Sequence, residues 1–440
     1  MLDTSTVSFV ADTSGKERIA SGNNSMMLGR HPNKMLVAQI GARMHYAVPR
    51  ILHEAGMLGV LHTDVVATMG WPALLARMIP GSKNLGGVRR LLARVPQGIP
   101  NSKIRTQNKL GVSFAIRNQY CRTITEAEAV HLQVTKKFGR TIVKSGMEDF
   151  DGVYVFSGDG VEILEEAKRL GQKRIVEQVI APMEIVYSTY AGEHERYPDM
   201  VGKEYLNQHW TEIRDRECRE WELADVVVCG STFVQDCIQQ VGGPVEKTVV
   251  VNYGVGGPVL PSRTVPNRPG RKTRVVFVGE VGFRKGAHYL LEAARELTED
   301  FEFRFCGGVS LPERFLSRIP SNVKLMGIVP RSEVGQQYAW ADIFCLPSLV
   351  EGSATVTYEA MAAGLPVVTT PQSGSIVRDG IDGFLIPPGQ VEAITDGLMR
   401  CRRGDLPLHW EPIRDRVDGP ASFTLDAYRE RLLRLVQSEV

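Results

Sequence analysis

The sequence predicts an α/β protein built from two doubly wound parallel sheets that face each other across a cleft. Short apolar strands recur along the chain and each adjoins a helix-length segment. The pattern stops at one Pro/Gly-rich stretch and then starts again. Unbroken apolar strands that alternate with helices are typical of parallel sheets buried on both faces. Ligands of such sheets bind beyond the carboxyl ends of the strands, so the cleft is the predicted site.

The first predicted domain covers residues 31–253. Its strands are LVAQIG, VYVF, RIVEQV, VVVCGS and TVVVNYG. A glycine turn and a predicted helix over RMHYAVPRILHEAG follow the first strand, and a long polar helix is predicted over about 203–224. Residues 1–30 are polar and show no sustained period, which predicts a flexible tail.

A Pro/Gly-rich linker is predicted over residues 254–272, where the chain reads GGPVLPSRTVPNRPGRK. The second predicted domain covers 273–420, with the strands VVFVG, FEFRFCGG, VKLMG, DIFCLPS, PVVTT and GFLIPP. The last segment, 421–440, has helical spacing in FTLDAYRERLLRLVQ.

Composition excludes several classes of protein. The 440 residues carry 52 Lys and Arg against 50 Asp and Glu, so net charge indicates no partner. The 7 cysteines contain no CxxC pair, which argues against a disulfide framework and a zinc ribbon. No apolar run approaches the roughly 20 residues that span a bilayer, and the N-terminus lacks the apolar core of a signal peptide. These features predict a cytoplasmic protein.

Two carboxylates lie eight positions apart in PSLVEGSATVTYEAMAAGLPVVTT. Glu351 falls in a small-residue turn and Glu359 on the following helix, which places them on the order of 10 Å apart. This separation suits two hydroxyl-bearing groups joined by a diphosphate, and the amides of residues 353–356 would favour a phosphate between them. Alternatively, Glu351 serves the helix N-terminus and Glu359 forms a surface ion pair.

A second candidate segment, VVFVGEVGFRKGAHYLLEAARE, joins a strand to a helix through a glycine-punctuated turn. Arg284 and Lys285 stand in that turn, where two cations are well placed to hold a diphosphate. The segment matches neither GxxxxGK[ST] nor GxGxxG. The alternative is a solvated basic loop.

Together these segments resemble the family 4 retaining glycosyltransferases, the group 1 glycosyl transferases with the two-domain GT-B fold. The matching features are Gly279 with Lys285-Gly286, the E-x7-E pair, EAMAAGLPVV, VRDGIDGFLIPPG, ADVVVCGSTFVQD and EKTVVVNYGV. The resemblance spans about residues 36–435 and implies two Rossmann-like domains whose last helix crosses back to the first domain.

The resemblance implies a retaining transfer of a sugar from a nucleotide-diphospho-sugar. Glu359 would hold the ribose hydroxyls, Glu351 would contact the transferred sugar, and Lys285, supported by Arg284, would neutralise the departing diphosphate. The remaining donor-binding residues would be Gly279, Gly352, Ser353, Ala354, Thr355 and Val356. The enzyme would need no metal and no cofactor, because cationic side chains would take the metal's role.

The sequence departs from the family pattern at three places. Glu280 follows Gly279 where the family commonly has arginine, so Arg284 is the predicted substitute. No histidine occurs over residues 155–159, although the family often has one there, and His194 is the nearby candidate. Finally, residues 372–375 read QSGS where the family has a GGxPE motif.

The first domain contributes further candidates at its first glycine turn. Gly41 and Arg43 fall where this domain approaches the donor phosphates in the resembling fold, so Arg43 would reach a phosphate or the acceptor. The alternative for Arg43 is a helix-capping role at the surface, and for His194 a structural role.

Residues 65–125 contain no acidic side chain but ten basic ones. These are Arg77, Lys83, Arg89, Arg90, Arg94, Lys103, Arg105, Lys109, Arg117 and Arg122. Apolar residues are mixed with these cations, as in interfacial helices, so a peripheral contact with an anionic membrane or a lipid-pyrophosphate acceptor is one hypothesis. An acceptor loop or a solvated face is the other. No groove-reading motif accompanies the charge, so no nucleic-acid partner is predicted.

The function predicted from the sequence is therefore a hexosyl-type glycosyltransferase of polysaccharide biosynthesis that acts on a glycan, lipid-linked or small-molecule acceptor. Two alternatives remain at this point. One is a catalytically silent protein of the same fold that binds a sugar nucleotide or glycan, and the other is a GT-B phosphorylase or epimerase.

Overall fold

The computed structural model describes residues 33–70, 94–121, 123–198, 209–256, 270–406 and 422–438. The predicted tail 1–30 lies outside these residues, as do positions 257–269 of the predicted linker and 203–208 of the predicted polar helix. The predicted limits of the two domains stay predictions.

The first sheet has seven parallel strands in the order β3-β2-β1-β4-β5-β6-β7. The strands are β1 (Met35–Gln39), β2 (Leu58–Thr63), β3 (Ile104–Thr106), β4 (Gly152–Phe156), β5 (Lys173–Gln178), β6 (Val226–Cys229) and β7 (Thr248–Val250). The helices of this part are α1 (Ala47–Glu54), α2 (Asn108–Tyr120), α3 (Ile124–Lys144), α4 (Val161–Arg169), α5 (Met183–Arg196), α6 (Trp210–Leu223) and α7 (Thr232–Gln240).

The second sheet has six parallel strands in the order β10-β9-β8-β11-β12-β13. The strands are β8 (Thr273–Val278), β9 (Phe301–Cys306), β10 (Val323–Gly327), β11 (Ile343–Leu346), β12 (Val367–Thr369) and β13 (Gly383–Leu385). The helices are α8 (Ala287–Glu296), α9 (Glu313–Leu316), α10 (Arg331–Trp340), α11 (Thr355–Ala362), α12 (Val391–Arg403) and α13 (Leu425–Gln437).

Both sheets reverse their strand order next to the first strand of the repeat. In the first sheet the reversal lies between β1 and β4, and in the second between β8 and β11. The loops after these strands separate at that point and leave a crevice, where doubly wound sheets bind their ligands. The predicted α/β class with two doubly wound parallel sheets is confirmed.

The helix predicted over RMHYAVPRILHEAG begins later than expected. Met44, His45 and Tyr46 all have left-handed backbone angles, with φ of 46°, 51° and 60°. Left-handed residues cannot continue a right-handed helix, so α1 begins only at Ala47. Three consecutive non-glycine residues in this conformation are costly, which marks the turn after β1 as a strained segment.

The last helix packs on the first sheet although it follows the second one in the chain. Tyr428, Leu432 and Val436 are buried in the same apolar cluster as side chains of β1, β4, β5 and α1. Lys173 Nζ, on β5, donates to three carbonyl oxygens at the end of α13, at 2.6 to 3.2 Å.

The two stretches of chain that join the sheets lie side by side. The amide of Val255 donates to the carbonyl of Phe423 at 2.9 Å, and the amide of Leu425 donates to the carbonyl of Val255 at 3.0 Å. Arg431 donates to the carbonyl oxygens of both stretches, each at 2.8 Å. These hydrogen bonds hold the two connecting segments together.

Apolar side chains form one large cluster around the second sheet and two clusters associated with the first. No helix within the described ranges is long and apolar enough to cross a membrane.

Candidate active site

Three predicted site residues meet at the switch point of the second sheet. Arg284 and Lys285 stand in the loop between β8 and α8, and Glu351 stands in the loop after β11. β8 and β11 are neighbours in the sheet, so their carboxyl ends bring these loops together. The sequence assigned both segments to donor binding, but it did not predict that the two cations contact Glu351.

Glu351 is held by both cations. Lys285 Nζ donates to its Oε1 at 2.6 Å, and Arg284 Nη1 lies 2.7 Å from its Oε2. The residue is only 8% exposed. Burial alone would raise the pKa of Glu351, but the charges and hydrogen bonds of Lys285 and Arg284 bring that pKa below its ordinary value of 4.5. The solvated-loop alternative for the basic pair is therefore wrong, and no described amide of a helix N-terminus binds this carboxylate.

Gly279 is required where β8 ends. Its φ is +143°, and a Cβ on it would lie 2.7 Å from Cδ of Lys285. The aliphatic stem of Lys285 therefore crosses directly over the glycine, which lets the ammonium reach Glu351. A side chain at position 279 would push the lysine away.

The turn that carries Glu351 is also fixed against the first sheet. The amide of Ala181 donates to the carbonyl of Glu351 at 3.1 Å, and Ser231 Oγ donates to the carbonyl of Gly352 at 2.5 Å. A Cβ on Gly352 would lie 2.1 Å from the carbonyl oxygen of Val179, at the end of β5. Only glycine allows this approach of the two backbones.

The predicted phosphate-binding amides fall in two groups. Thr355 and Val356 begin α11, as expected for a helix N-terminus. The amide of Ala354 instead donates to the carbonyl of Ser373 at 2.9 Å. The prediction that this amide donates a hydrogen bond to a phosphate oxygen is therefore wrong in this conformation. Ser353 Oγ lies 2.8 Å from the hydroxyl of Tyr358 and donates to the carbonyl of Gly374, which gives this side chain a structural part.

Glu359 projects from α11 and has two partners whose identity the sequence did not indicate. Tyr338 donates its hydroxyl to Oε2 of Glu359 at 2.9 Å, and Arg331 Nη2 lies 3.5 Å from Oε1. The surface ion pair considered from the sequence is thus present. Arg331 also reaches the first part of the molecule, with Nη1 at 2.5 Å from Nε2 of His45 in the strained turn.

Two buried acids stand at the carboxyl end of the first sheet. Asp64 follows β2 and accepts from the amide of Gly41 at 2.9 Å, where the backbone φ is +81°. Asp159 follows β4 and lies 3.7 Å from Arg43. Burial raises the pKa of Asp159. Arg43 therefore faces the cleft end of the sheet rather than capping a helix, as the alternative had it.

Several polar atoms in this group have unmet hydrogen-bonding capacity. Among the described residues, Oδ1 of Asp159, Nε of Arg43 and Oε1 of Gln39 are buried without a hydrogen-bond partner. Buried polar groups in folded proteins are normally satisfied. Acids placed within three residues of the end of an apolar strand were the sequence signal that could have revealed Asp64 and Asp159.

The histidine considered from the sequence, His194, and a second one that the sequence did not indicate, His131, have different settings. His194 is half-buried on α5 and stands between Glu193 and Glu195. His131 of α3 comes close to the segment where the family histidine is missing, since a Cβ on Gly158 would lie 3.8 Å from its Nε2. Burial lowers the pKa of His131.

A small pocket at the cleft adjoins the basic loop. It is lined by Tyr190 of α5, by Ser310 and by residues of the loop that carries Arg284 and Lys285. Within the part of the chain that the structure describes, no group of three or more His, Cys, Asp or Glu side chains could hold a metal ion.

Residues 272–403 match the family model described as Glycosyl transferases group 1. The match covers the second sheet, the loops that carry Lys285 and Glu351, and helix α11, which carries Glu359. The resemblance seen in the sequence is confirmed at the level of this family for this segment.

Curated relatives match part of the chain. The amylovoran biosynthesis glycosyltransferase AmsK of Erwinia amylovora is 31% identical over 182 residues, which are 37% of this chain and 44% of AmsK. WcaL of Salmonella typhimurium is 30% identical over 257 residues, 54% of this chain and 62% of WcaL. The chain therefore spans about half the length of the curated relatives it matches.

Solved structures extend the likeness to the whole fold. The lipopolysaccharide outer core galactosyltransferase WaaB superposes with a TM-score of 0.57 at 15% identity, over 92% of this chain and 99% of that one. HepE of Anabaena, solved in complex with UDP-glucose, superposes with a TM-score of 0.56 at 15% identity, over 92% and 100%. These likenesses confirm the two-domain GT-B fold.

Proposed function

We propose that this protein is a retaining glycosyltransferase that moves a sugar from a nucleotide-diphospho-sugar to an acceptor hydroxyl. The observation that carries the proposal is the convergence of Arg284 and Lys285 on Glu351 at the switch point of the second sheet. Two partly buried cations beside a helix N-terminus form a preorganised setting for a diphosphate.

The proposed chemistry uses charge that develops on the leaving group. The bond between the sugar's anomeric carbon and the β-phosphate oxygen breaks, and a bond to the acceptor oxygen forms on the same face of the sugar. The acceptor proton passes to the leaving diphosphate. Lys285 and Arg284 would stabilise the negative charge on that diphosphate, which is where fixed cations lower the barrier most. These cations are the reason to expect catalysis without a metal.

The two carboxylates would divide the recognition of the donor. Glu359, oriented by Tyr338, would accept from the ribose hydroxyls. Glu351 would contact the transferred sugar once the diphosphate replaces it as the counter-ion of Lys285 and Arg284. The donor would thus exchange one ion pair for another, so the cations stay paired throughout.

The acceptor would enter from the first sheet. Arg43, Asp159 and Gln39 have buried polar atoms without partners at the edge that faces the cleft. Two of these atoms are acceptors, which suits the hydroxyl groups of a sugar or another polyol. A glycan or a lipid-linked glycan is therefore the proposed acceptor.

The relatives point to polysaccharide biosynthesis. AmsK is named for amylovoran biosynthesis and WaaB for the outer core of lipopolysaccharide. HepE was solved with UDP-glucose, so UDP-sugars are the first donors to test for this chain.

Peripheral contact with an anionic membrane is a further part of the proposal. α2 exposes Ile116 and Tyr120 at 52% and 77%, and Lys109 and Arg117 stand on the same helix. Exposed apolar side chains among cations favour an anionic interface. Arg94 does not belong to this face because it pairs with buried Asp64, and Arg77, Lys83, Arg89, Arg90 and Arg122 lie outside the described residues.

Vesicle sedimentation tests the membrane contact. At low salt the protein should sediment with anionic vesicles and much less with neutral ones. Equal sedimentation with both kinds of vesicle would contradict this part of the proposal and leave the donor site unaffected.

A thermal-shift screen tests the donor site. The wild-type protein and Glu359→Gln are compared with UDP-, GDP- and ADP-sugars. We expect one class of nucleotide sugar to raise the Tm of the wild type and to raise the Tm of the variant much less. The wild type should then transfer the sugar of that donor to a glycan acceptor. Binding without turnover over a broad acceptor panel would favour a silent sugar-nucleotide-binding protein, and no binding at all would contradict the proposed site.

A further inference from the structure

Helix α5 lies between β5 and β6 of the first sheet in the chain, but its end contacts helix α8, which follows the first strand of the second sheet. At its start, the amide of Met183 donates to Oε2 of Glu217 on α6 at 2.9 Å. Near its end, Glu193 is buried, with 4% exposure, and its carboxylate reaches α8. The helix therefore spans from the first sheet to the loop that carries the proposed diphosphate cations.

Glu193 binds two consecutive residues in the first turn of α8. Its Oε2 lies 2.7 Å from Nε2 of His288, and its Oε1 accepts from the hydroxyl of Tyr289 at 2.9 Å. His288 is completely buried. These two residues stand three and four positions after Lys285, so a contact that fixes them also fixes the start of α8 and the adjoining loop from which Lys285 projects.

Aromatic packing surrounds this polar contact. The ring of Tyr197, just past α5, packs edge-on against His288 at 5.2 Å and lies 5.8 Å from Tyr289. Phe283, which immediately precedes Arg284, lies 4.8 Å from the ring of His288 and also packs near Tyr187 of α5. The loop of the two cations is thus attached to α5 through an apolar residue before it and a polar contact after it.

We propose that Glu193 is a positioning residue that holds the first turn of α8, and with it Lys285 and Arg284, in register with the first sheet. The inference rests on the proposed function for its consequence, which is donor affinity. Its physical basis is separate: removal of the carboxylate leaves Nε2 of buried His288 without its partner, which is costly. It also removes the acceptor of the Tyr289 hydroxyl, which then keeps only the bond it accepts from Arg196 at 3.0 Å. The turn then shifts to find other partners.

Four proteins separate positioning from simple stability: the wild type, Glu193→Ala, Glu193→Gln and Glu195→Ala. Glutamine can accept from Tyr289 with its oxygen and donate to His288 with its amide, so it should restore the contact. Glu195 is exposed two residues further along the same part of α5, so its replacement removes an equal charge without the cross-contact.

Hydrogen exchange measured by mass spectrometry tests the positioning without any donor. In Glu193→Ala, amides of residues 279–290 should exchange about tenfold faster than in the wild type, which is the scale of one lost hydrogen bond to a charged group. Glu193→Gln and Glu195→Ala should stay within about twofold. Unchanged exchange in Glu193→Ala, or an equal increase across both sheets, would overturn the inference.

Calorimetric titration with UDP, GDP and ADP tests the consequence. The dissociation constant of the nucleotide that binds the wild type should rise about tenfold in Glu193→Ala and return towards the wild-type value in Glu193→Gln. Equal binding by the wild type and Glu193→Ala would refute the positioning role. If the wild type binds none of the three nucleotides, the proposed function fails, while the exchange result still decides whether Glu193 holds the turn.

Discussion

Replacing Glu351 with glutamine removes the shared counter-ion of two cations. The carboxylate lies 2.6 Å from Lys285 and 2.7 Å from Arg284, and the three side chains are 11%, 12% and 28% exposed. Loss of one partner from a buried ion pair costs about 3–5 kcal/mol because the remaining charge is buried alone. A glutamine oxygen can still accept one of the two bonds, so we expect the lower end, about 3 kcal/mol.

Thermal unfolding measures this loss. At roughly 2–4 °C per kcal/mol for a domain of this size, Glu351→Gln should lower Tm by about 6–12 °C. Glu302→Gln is the matched control, since Glu302 pairs with Arg274 at the same 2.7 Å but both side chains are about 40% exposed. An exposed pair contributes about 0–1 kcal/mol, so this control should hardly shift.

The dependence on pH and on nucleotide gives the same prediction two further tests. The pKa of Glu351 lies below its ordinary value of 4.5 in the folded protein. Its stabilising effect is therefore present above pH 4.5 and is lost as the pH falls through the folded pKa. The difference in Tm between wild type and variant should stay constant from pH 6 to 8 and close in acid.

UDP should raise the Tm of Glu351→Gln more than that of the wild type, because the diphosphate then meets two unneutralised cations. A variant with wild-type Tm at neutral pH, or one that has lost its response to every nucleoside diphosphate, would refute the proposed exchange of counter-ions.

Three further predictions concern Gly352 in the turn after β11, the hydrogen bond between Tyr338 and Glu359, and the buried acid Glu220. Gly352→Ala should lower Tm by several degrees because its Cβ would lie 2.1 Å from a carbonyl oxygen at the end of β5. Gly335→Ala is the control: a Cβ at this position of α10 meets open space, so the variant should be neutral or slightly stabilised. Equal Tm values in the two variants would contradict the close approach at Gly352. Tyr338→Phe should weaken nucleotide binding by about three- to tenfold, the scale of one hydrogen bond of about 0.5–1.5 kcal/mol, because Glu359 loses an orienting partner at 2.9 Å, and calorimetric titration would show it. Burial raises the pKa of Glu220 to about 8, so the contribution of this group to stability falls as the pH rises towards 8. The Tm of Glu220→Gln should therefore decline less steeply from pH 6 to 9 than the Tm of the wild type. Parallel Tm profiles would refute this prediction.

The sequence predicted the features that repeat or that carry local motifs. Apolar strands followed by helices indicated both sheets, because burial on two faces leaves a continuous apolar run. The spacing in the E-x7-E segment placed Glu351 in a turn and Glu359 on a helix. Both placements agree with α11.

Contacts between distant segments could not be read from local pattern. The pairing of Glu351 with Lys285 joins residues 66 positions apart, and that of Glu193 with His288 joins residues 95 apart. The left-handed turn at His45 also lacks a local signal, since no glycine or asparagine stands there. Tertiary packing decides these features, so no pattern of neighbouring residues in the sequence indicates them.

The measurement that tests the central claim most directly is the affinity of the protein for a nucleoside diphosphate against that for its nucleoside. Calorimetry is run on the wild type, on Lys285→Ala and on Lys324→Ala, whose lysine is exposed on β10. We predict that one of UDP, GDP and ADP binds the wild type and Lys324→Ala far more tightly than its nucleoside does. Lys285→Ala should lose at least about tenfold in that affinity. Equal affinity for diphosphate and nucleoside, or an unaffected Lys285→Ala, would contradict a diphosphate site at Arg284 and Lys285.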